Sequence, residues 1–236
     1  MNFPKNKTLI IITILLTIII STFVIVTKAK APSVHTNNNN DIKKYSLDVT
    51  GATDTSASFQ KMVDSYPSGS TIILPEGKYN FGNTVNLKDG IKLVAESDVI
   101  IKGTGKNTLF SVGNVNSFKG IEFQNCATAL NVTQKKGLKV SDCRFTNKID
   151  FSAINFSGSS DSSVTNSFFY DILKYGILID NDSSNITIDN NKFDNAKVFG
   201  GYEKEQISGH VYSLNGSGIK VTNNLLKNSG GQGVIF

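Results

Sequence analysis

Ile186-Thr187-Ile188-Asp189-Asn190-Asn191-Lys192-Phe193-Asp194-Asn195 alternates apolar with polar side chains, turns at Asn190 and returns to an apolar residue at Phe193. The pattern recurs. Leu138, Val140, Asp142, Cys143 and Phe145 carry it once, and Val164, Asn166, Ser167 and Phe169 carry it again. Ile219, Val221, Asn223, Asn224 and Leu226 give a further full copy, and a weaker one reads from Ile121 through Phe123, Asn125 and Cys126. Starts at 138, 162 and 186 are 24 residues apart, and the step to 219 is 33. A fixed period of this size means stacked repeats, each contacting its neighbours, with a core made by the stacking itself.

Alternation of period two suits a strand. Leu138 and Val140 face one way, and Lys139 and Ser141 the other. A second short strand follows in several copies: Leu130 and Val132, Ile154 and Phe156, Ile177 and Ile179, Val234 and Phe236. Short strands without an intervening helix describe one coil of a parallel β-helix. Leucine-rich and helical repeats are excluded, because the copies lack a helix and are rich in Asn, Gly and Ser. The reading is an all-β, right-handed parallel β-helix over 46–236. Asn166, Asn190, Asn223 and Asp142 are expected to form a structural ladder at the turn, bonding one another and the next coil's backbone. Cys126 and Cys143 fall at equivalent positions in this alignment. Two small residues filling one interior slot is the favoured reading, beside a disulfide that an exported protein would permit.

In front of the repeats, Phe59, Met62, Val63 and Tyr66 mark one face of a helix over 54–66, with Asp54 placed to cap its start and Pro67 to stop it. Such a helix would cover the open N-terminal end of the coil. Residues 9–26 carry no charge and are flanked by Lys5, Lys7, Lys28 and Lys30. This run behind the short basic stretch 1–8 is a transmembrane anchor or a secretory signal. Its length and Pro32 favour the anchor, with the domain outside the cell membrane; secretion is the alternative. Residues 27–45 read as a polar flexible linker. The net charge of +5 arises in residues 1–44, which hold six lysines against one aspartate. The remainder balances, so the basic excess gives no case for nucleic acid. Gly230 to Phe236 begins another coil's second strand without a polar cap. A fragment, or a homo-oligomer whose second subunit covers that end, are the two readings.

Gly51-Ala52, Asp54-Thr55, Phe59-Gln60 and the stretch Gly69 to Tyr79, with Leu74-Pro75-Glu76-Gly77-Lys78-Tyr79 at its end, resemble the opening of the pectate-lyase-like superfamily, including its rhamnogalacturonase and epimerase-like members. The resemblance spans about 46–236. The family's usual Lys-Gly-Asp-Gly stretch between its Gly-Ala and Asp-Thr is absent; here Thr53 alone separates Ala52 from Asp54. The resemblance implies a polysaccharide ligand along an outer face, and Ca²⁺ as a cofactor of eliminating members. Lyases, glycosidases, epimerases and scaffold-only proteins share the fold, so the side chains must choose among them.

Hydrolysis needs two carboxylates, and elimination needs a base beside the sugar acid. The first-strand outward columns read Glu122, Lys139, Ser163, Thr187, Lys220 and Gln124, Ser141, Thr165, Asp189, Thr222. Neither clusters acids, and no metal-ligand set stands out. The chain's one arginine, Arg144, shares an outward column with Phe168, Lys192 and Leu225, and reads as a solvated charge or an eliminating base. The nine extra residues after Asn195 make the best candidate region, since loops on rigid scaffolds often carry function. Asp171, Glu203, Glu205 and His210 are the candidate catalytic residues, and Lys174, Tyr175, Lys197 and Tyr202 the candidate substrate-binding ones. Strict register puts His210 in the inward place of Ile177, where a buried, hydrogen-bonded histidine is the alternative. A carbohydrate-active lyase or hydrolase, a non-catalytic glycan-binding module, and a structural or adhesive spacer or truncated relic all remain open.

Overall fold

The computed structural model describes residues 34–36, 39–194 and 208–236. They form a parallel β-helix of about seven turns. Three faces of parallel strands run along it. The first face stacks Val34–Thr36, Thr71–Leu74, the start of Lys92–Lys102, the start of Ser117–Thr133, Lys139–Ser141, Ser160–Thr165, Ser184–Asp189 and Lys220–Thr222. The second stacks Thr50–Asp54, Gly77–Asn80, residues 99–102, 122–124, 144–146, Phe168–Tyr170, Lys192–Asp194 and Leu225–Leu226. The third runs from Val85–Asn86 through residues 110–111, 130–131, 154–157, 177–180 and 211–213 to Gln232–Ile235.

Each face sends one apolar column inward. Ile72, Leu93, Phe118, Val140, Val164 and Ile188 supply the first, and Phe110, Leu130, Ile154, Ile177 and Val211 the third, all buried. The second contributes Phe123, Phe145, Phe169 and Phe193, stacked with centroids 5.0, 4.7 and 4.4 Å apart and planes within 17°. Parallel strands repeat every ~4.8 Å, so identical aromatic side chains in one column meet face to face. The expected strands and inward columns are therefore present.

Helix α1 spans Asn39–Tyr45 and helix α2 Ser56–Ser65. In α2, Phe59, Met62 and Val63 are buried, and the Phe59 ring meets Tyr79, Phe81 and Phe110 edge-on. Thr55 is the N-cap residue, while the Asp54 carboxylate accepts from the Ser56 N–H at 2.9 Å. Tyr66 is extended (φ −88°, ψ 139°), as the ring of the following proline requires. Two segments of the 27–45 stretch, Val34–Thr36 and Asn39–Tyr45, take regular structure. Val34–Thr36 pairs with Thr71–Ile73, and Ile42 and Tyr45, three residues apart on one helical face, pack on the core. Tyr45 Oη donates to Ser65 Oγ at 2.8 Å, and Tyr66 Oη donates to Asp41. Among the described residues no helix is long and apolar enough to cross a membrane. Segment 9–26 lies outside the described residues.

Two repeat assignments change. Ser117 pairs with Lys139 and Phe118 with Val140, so the first copy begins at Asn116 and not at Ile121. Cys126 then lies opposite Ile149, and the two cysteines are not equivalent. Both are free and buried, and burial pushes the Cys143 thiol up to about 12. The polar ladder is also divided. At the fifth motif position Asp142, Asn166, Asn190 and Asn223 take left-handed φ of 51–56°, which Asn and Asp tolerate best among residues with a side chain. Only Asn190 to Asn166 bonds along this column, at 2.8 Å; Asn223 donates instead to Asp189. The bonds to the next coil's backbone come from the buried sixth position. Cys143 N–H donates to Ser167 Oγ, Ser167 N–H to Asn191 Oδ1, and Asn191 N–H to Asn224 Oδ1.

Candidate functional site

The second face carries two outward columns. One runs Lys78, Ile100, Glu122, Arg144, Phe168, Lys192, Leu225. The other, two residues on, runs Asn80, Lys102, Gln124, Thr146, Tyr170, Asp194. The observed register takes Glu122 out of the Lys139 column expected from the sequence and places it one rung below Arg144.

Glu122 is tied down on both oxygens. Its Oε2 lies 3.4 Å from Arg144 Nε, and its Oε1 accepts from Thr146 Oγ1 at 2.5 Å and Gln124 Nε2 at 2.8 Å. The Arg144 side chain is 55% exposed, so the pair adds ~1 kcal/mol or less to stability. Phe168 takes two cations: Arg144 Cζ and Lys192 Nζ each sit 5.0 Å from its ring centroid. Its ring also stacks beside Tyr170, centroid to centroid 5.9 Å. Thr146 is far smaller than Tyr170 on the next rung, and a concavity of about 310 Å³ opens there, lined by Glu122, Arg144, Thr146, Asn147, Phe168 and Tyr170. A second of about 480 Å³ shares Arg144 and Phe168 with it and continues past Lys192 to Leu225, with Asn166, Asn190 and Asn223 along its edge. A third, about 350 Å³, lies toward the N-terminus of the same face beside Asn80, Lys102 and Asn125. The first two, sharing Arg144 and Phe168, make a groove parallel to the coil axis from Glu122 to Leu225, four rung steps or ~19 Å long.

Of the residues expected to form the site, Asp171, Lys174, Tyr175 and His210 are among those described. Glu203, Glu205, Lys197 and Tyr202 lie outside the described residues. Asp171 sits in a turn with φ 61°. Lys174 holds its Nζ 5.1 Å from the Tyr175 centroid and 5.4 Å from that of Phe151. Tyr175 is buried, stacked on Tyr212 at 5.2 Å, and its hydroxyl pKa is raised, by burial first and then by Tyr212. His210 lies opposite Gly176, not Ile177, since Val211 pairs with Ile177. It is 2% exposed, packs 5.5 Å from the Phe193 ring, and shares a 2.9 Å hydrogen bond between Nε2 and the Lys227 carbonyl oxygen. That carbonyl can only accept, so Nε2 carries the proton. Burial lowers the His210 pKa. Of the two readings left open for His210, this geometry matches the buried, hydrogen-bonded one. Among the described residues no three His, Cys, Asp or Glu side chains converge to hold a metal ion. The acidic, oxygen-rich set that Ca²⁺ favours is not found among them.

A family model described as a right-handed β-helix region matches residues 78–236. The chain belongs to that family. No curated protein matches this right-handed β-helix by sequence. Solved structures resemble it at low identity. A putative glycosyl hydrolase from Parabacteroides merdae superposes with a TM-score of 0.63 at 11% identity, covering 82% of this chain and 97% of that one. The catalytic unit of a GH87 α-1,3-glucanase from Streptomyces thermodiastaticus gives 0.62 at 14%, covering 88% and 42%. An alginate lyase from Paenibacillus gives 0.60 at 15%, covering 78% and 68%. The chain therefore spans less than half the length of the glucanase unit. These likenesses show the right-handed β-helix fold.

Proposed function

We propose that this β-helix binds an acidic polysaccharide along its second face, outside the cell and tethered by residues 9–26. The observation that supports it is the axial groove in which Arg144 and Lys192 flank Phe168, with Tyr170 beside them. Cations that meet a sugar's carboxylate or sulfate give charge-assisted hydrogen bonds, and aromatic side chains pack against sugar C–H faces. The structural neighbours include proteins described as a glucanase and an alginate lyase, which is consistent with a glycan ligand.

Binding is favoured over hydrolysis by the spacing of the groove's acids. Glu122 and Asp194 stand three rungs apart, ~14 Å, against about 5–5.5 Å for retaining and about 6.5–9.5 Å for inverting carboxylate pairs. Glu122 is moreover engaged by Arg144, Thr146 and Gln124. Turnover at the insertion, with Asp171, Glu203 and Glu205 as acid and base and Lys174, Tyr175, Lys197 and Tyr202 on the sugar, is the competing reading.

The test is titration of the full chain in detergent with acidic and neutral polysaccharides, assayed in parallel for unsaturated products and new reducing ends. Saturable binding to acidic chains without products, weakened by Arg144→Gln, supports the proposal. Products lost with Asp171→Ala would favour the competing reading, and absence of any binding would sink both. Protease protection in cell fractions, with and without residues 9–26, tests the tether.

A further inference from the structure

The outward column around the groove alternates in a way that the groove alone does not require. From one rung to the next it reads Glu122, Arg144, Phe168, Lys192, Leu225. That is an acid, a cation, an apolar ring, a cation and an apolar chain. Rungs are ~4.8 Å apart, close to the advance of one sugar in an extended glycan. The two cations are therefore two sugars apart. Each lies 5.0 Å from the Phe168 centroid, so they stand no more than about 10 Å from one another, in agreement with two rungs of the coil.

We infer that the ligand is an alternating glycan, in which an acidic sugar is followed by a neutral one, lying along the axis with one sugar per rung. This rests on the polysaccharide-binding reading above. An anionic group opposite Arg144 and another opposite Lys192 each find a counter-ion. The sugar between them lies against Phe168, which offers none, and the next lies against Leu225, 47% exposed. On the other side of Arg144 stands Glu122. A neutral sugar there can use its hydroxyls as donors to the carboxylate, whereas an acidic one meets a like charge. A glycan charged on every sugar gains no partner at the Phe168 rung and is repelled at the Glu122 rung. The amide edge formed by Asn166, Asn190 and Asn223 adds uncharged donors and acceptors suited to hydroxyl and amide substituents. Uronate carboxylate and sulfate ester both satisfy the two cations.

The experiment compares length-matched hexasaccharides by calorimetry on the full chain. The probes are hyaluronan and unsulfated chondroitin, alternating and carboxylate-only; κ-carrageenan, alternating and sulfate-only, to separate the two anions; and oligogalacturonate, charged on every sugar. An alternating probe should bind at least about tenfold more tightly than oligogalacturonate, the scale set by one repelled charge and one unpaired charge. Arg144→Gln and Lys192→Gln should each erase most of that preference. Phe168→Lys, which supplies a cation at the middle rung of an outward position, should move the preference toward oligogalacturonate. Equal or tighter binding of oligogalacturonate by the native chain would overturn the alternation and leave the binding groove standing. So would a Phe168→Lys chain, folded by circular dichroism, whose preference is unchanged. No binding of any acidic probe would overturn both this inference and the reading beneath it.

Discussion

Truncating Phe169 to alanine should be among the most damaging single changes in the coil. Phe169 is 1% exposed. It lies between Phe145, centroid 4.7 Å away at 10°, and Phe193, 4.4 Å away at 11°. Removing a buried phenylalanine ring costs about 3–5 kcal/mol. Two aromatic neighbours, each worth about 0.5–1.5 kcal/mol beyond area, put this site at the upper end of that range. The coils above and below are held by strand hydrogen bonds on three faces, so the stack cannot collapse onto the void. Phe169→Leu keeps most of the volume, and the same column accepts Leu226 opposite Phe193. It should cost about 1–2 kcal/mol, like other near-volume-conserving swaps. Urea unfolding followed by far-ultraviolet circular dichroism measures both, with constant slope as the check that one cooperative transition is compared. A loss below ~1 kcal/mol for the alanine variant, or a leucine variant as unstable as alanine, would refute the stacked-column account.

Asn191→Ala should cost about 2–4 kcal/mol, because it strips the Ser167 N–H and the Val164 carbonyl of their buried partners; the same urea titration reads it. Gly176→Ala should cost about 1–3 kcal/mol, since a Cβ there meets the His210 carbonyl oxygen at 2.4 Å and the Phe193 ring at 3.0 Å; a thermal melt within error of native would contradict that approach. His210 has a folded pKa below its ordinary 6.5, so the unfolded chain binds the extra proton and stability is lost as pH falls from about 6.5 through the folded value; melting temperature between pH 7.5 and 5 should fall, and His210→Gln should flatten the slope. Arg144→Gln should shift stability by ~1 kcal/mol or less while weakening acidic glycan, and a large loss of melting temperature would assign Arg144 a structural role instead.

The coil was legible because its inward residues repeat. Val140, Val164 and Ile188, and Phe145, Phe169 and Phe193, recur at 24 residues, and burial forces that regularity. Helix α2 was legible for the same reason, from Phe59, Met62 and Val63. The groove was not, because its residues face solvent, where nothing enforces a pattern. The decisive slip was one of register. The coil beginning at Asn116 has a buried amide where its neighbours have Ile91 and Leu138. Asn116 Oδ1 accepts from the Gly113 N–H, and its Nδ2 donates to the Lys88 and Ile91 carbonyls, so the polar residue is fully satisfied inside. Its turn uses Gly120 (φ 74°) where the others use Asp or Asn. With both markers disguised, Asn125 stood in for the turn residue, Glu122 was assigned to the wrong column, and its pairing with Arg144 went unseen. The 22-residue offset between Phe123 and Phe145 is the mark of that register in the sequence.

The step from Ile186 to Ile219 shows what such a molecule does with extra chain. Nine added residues leave the later strands in place: Tyr175 still faces Gly209, and Lys192 still faces Leu225. Inserted length leaves the register of the flanking strands unchanged, whereas a whole added turn lengthens the rod by one rung. The fold thus separates two kinds of growth. Insertions between strands can change in length without shifting a rung, and duplicated turns can add rungs, without either disturbing the other.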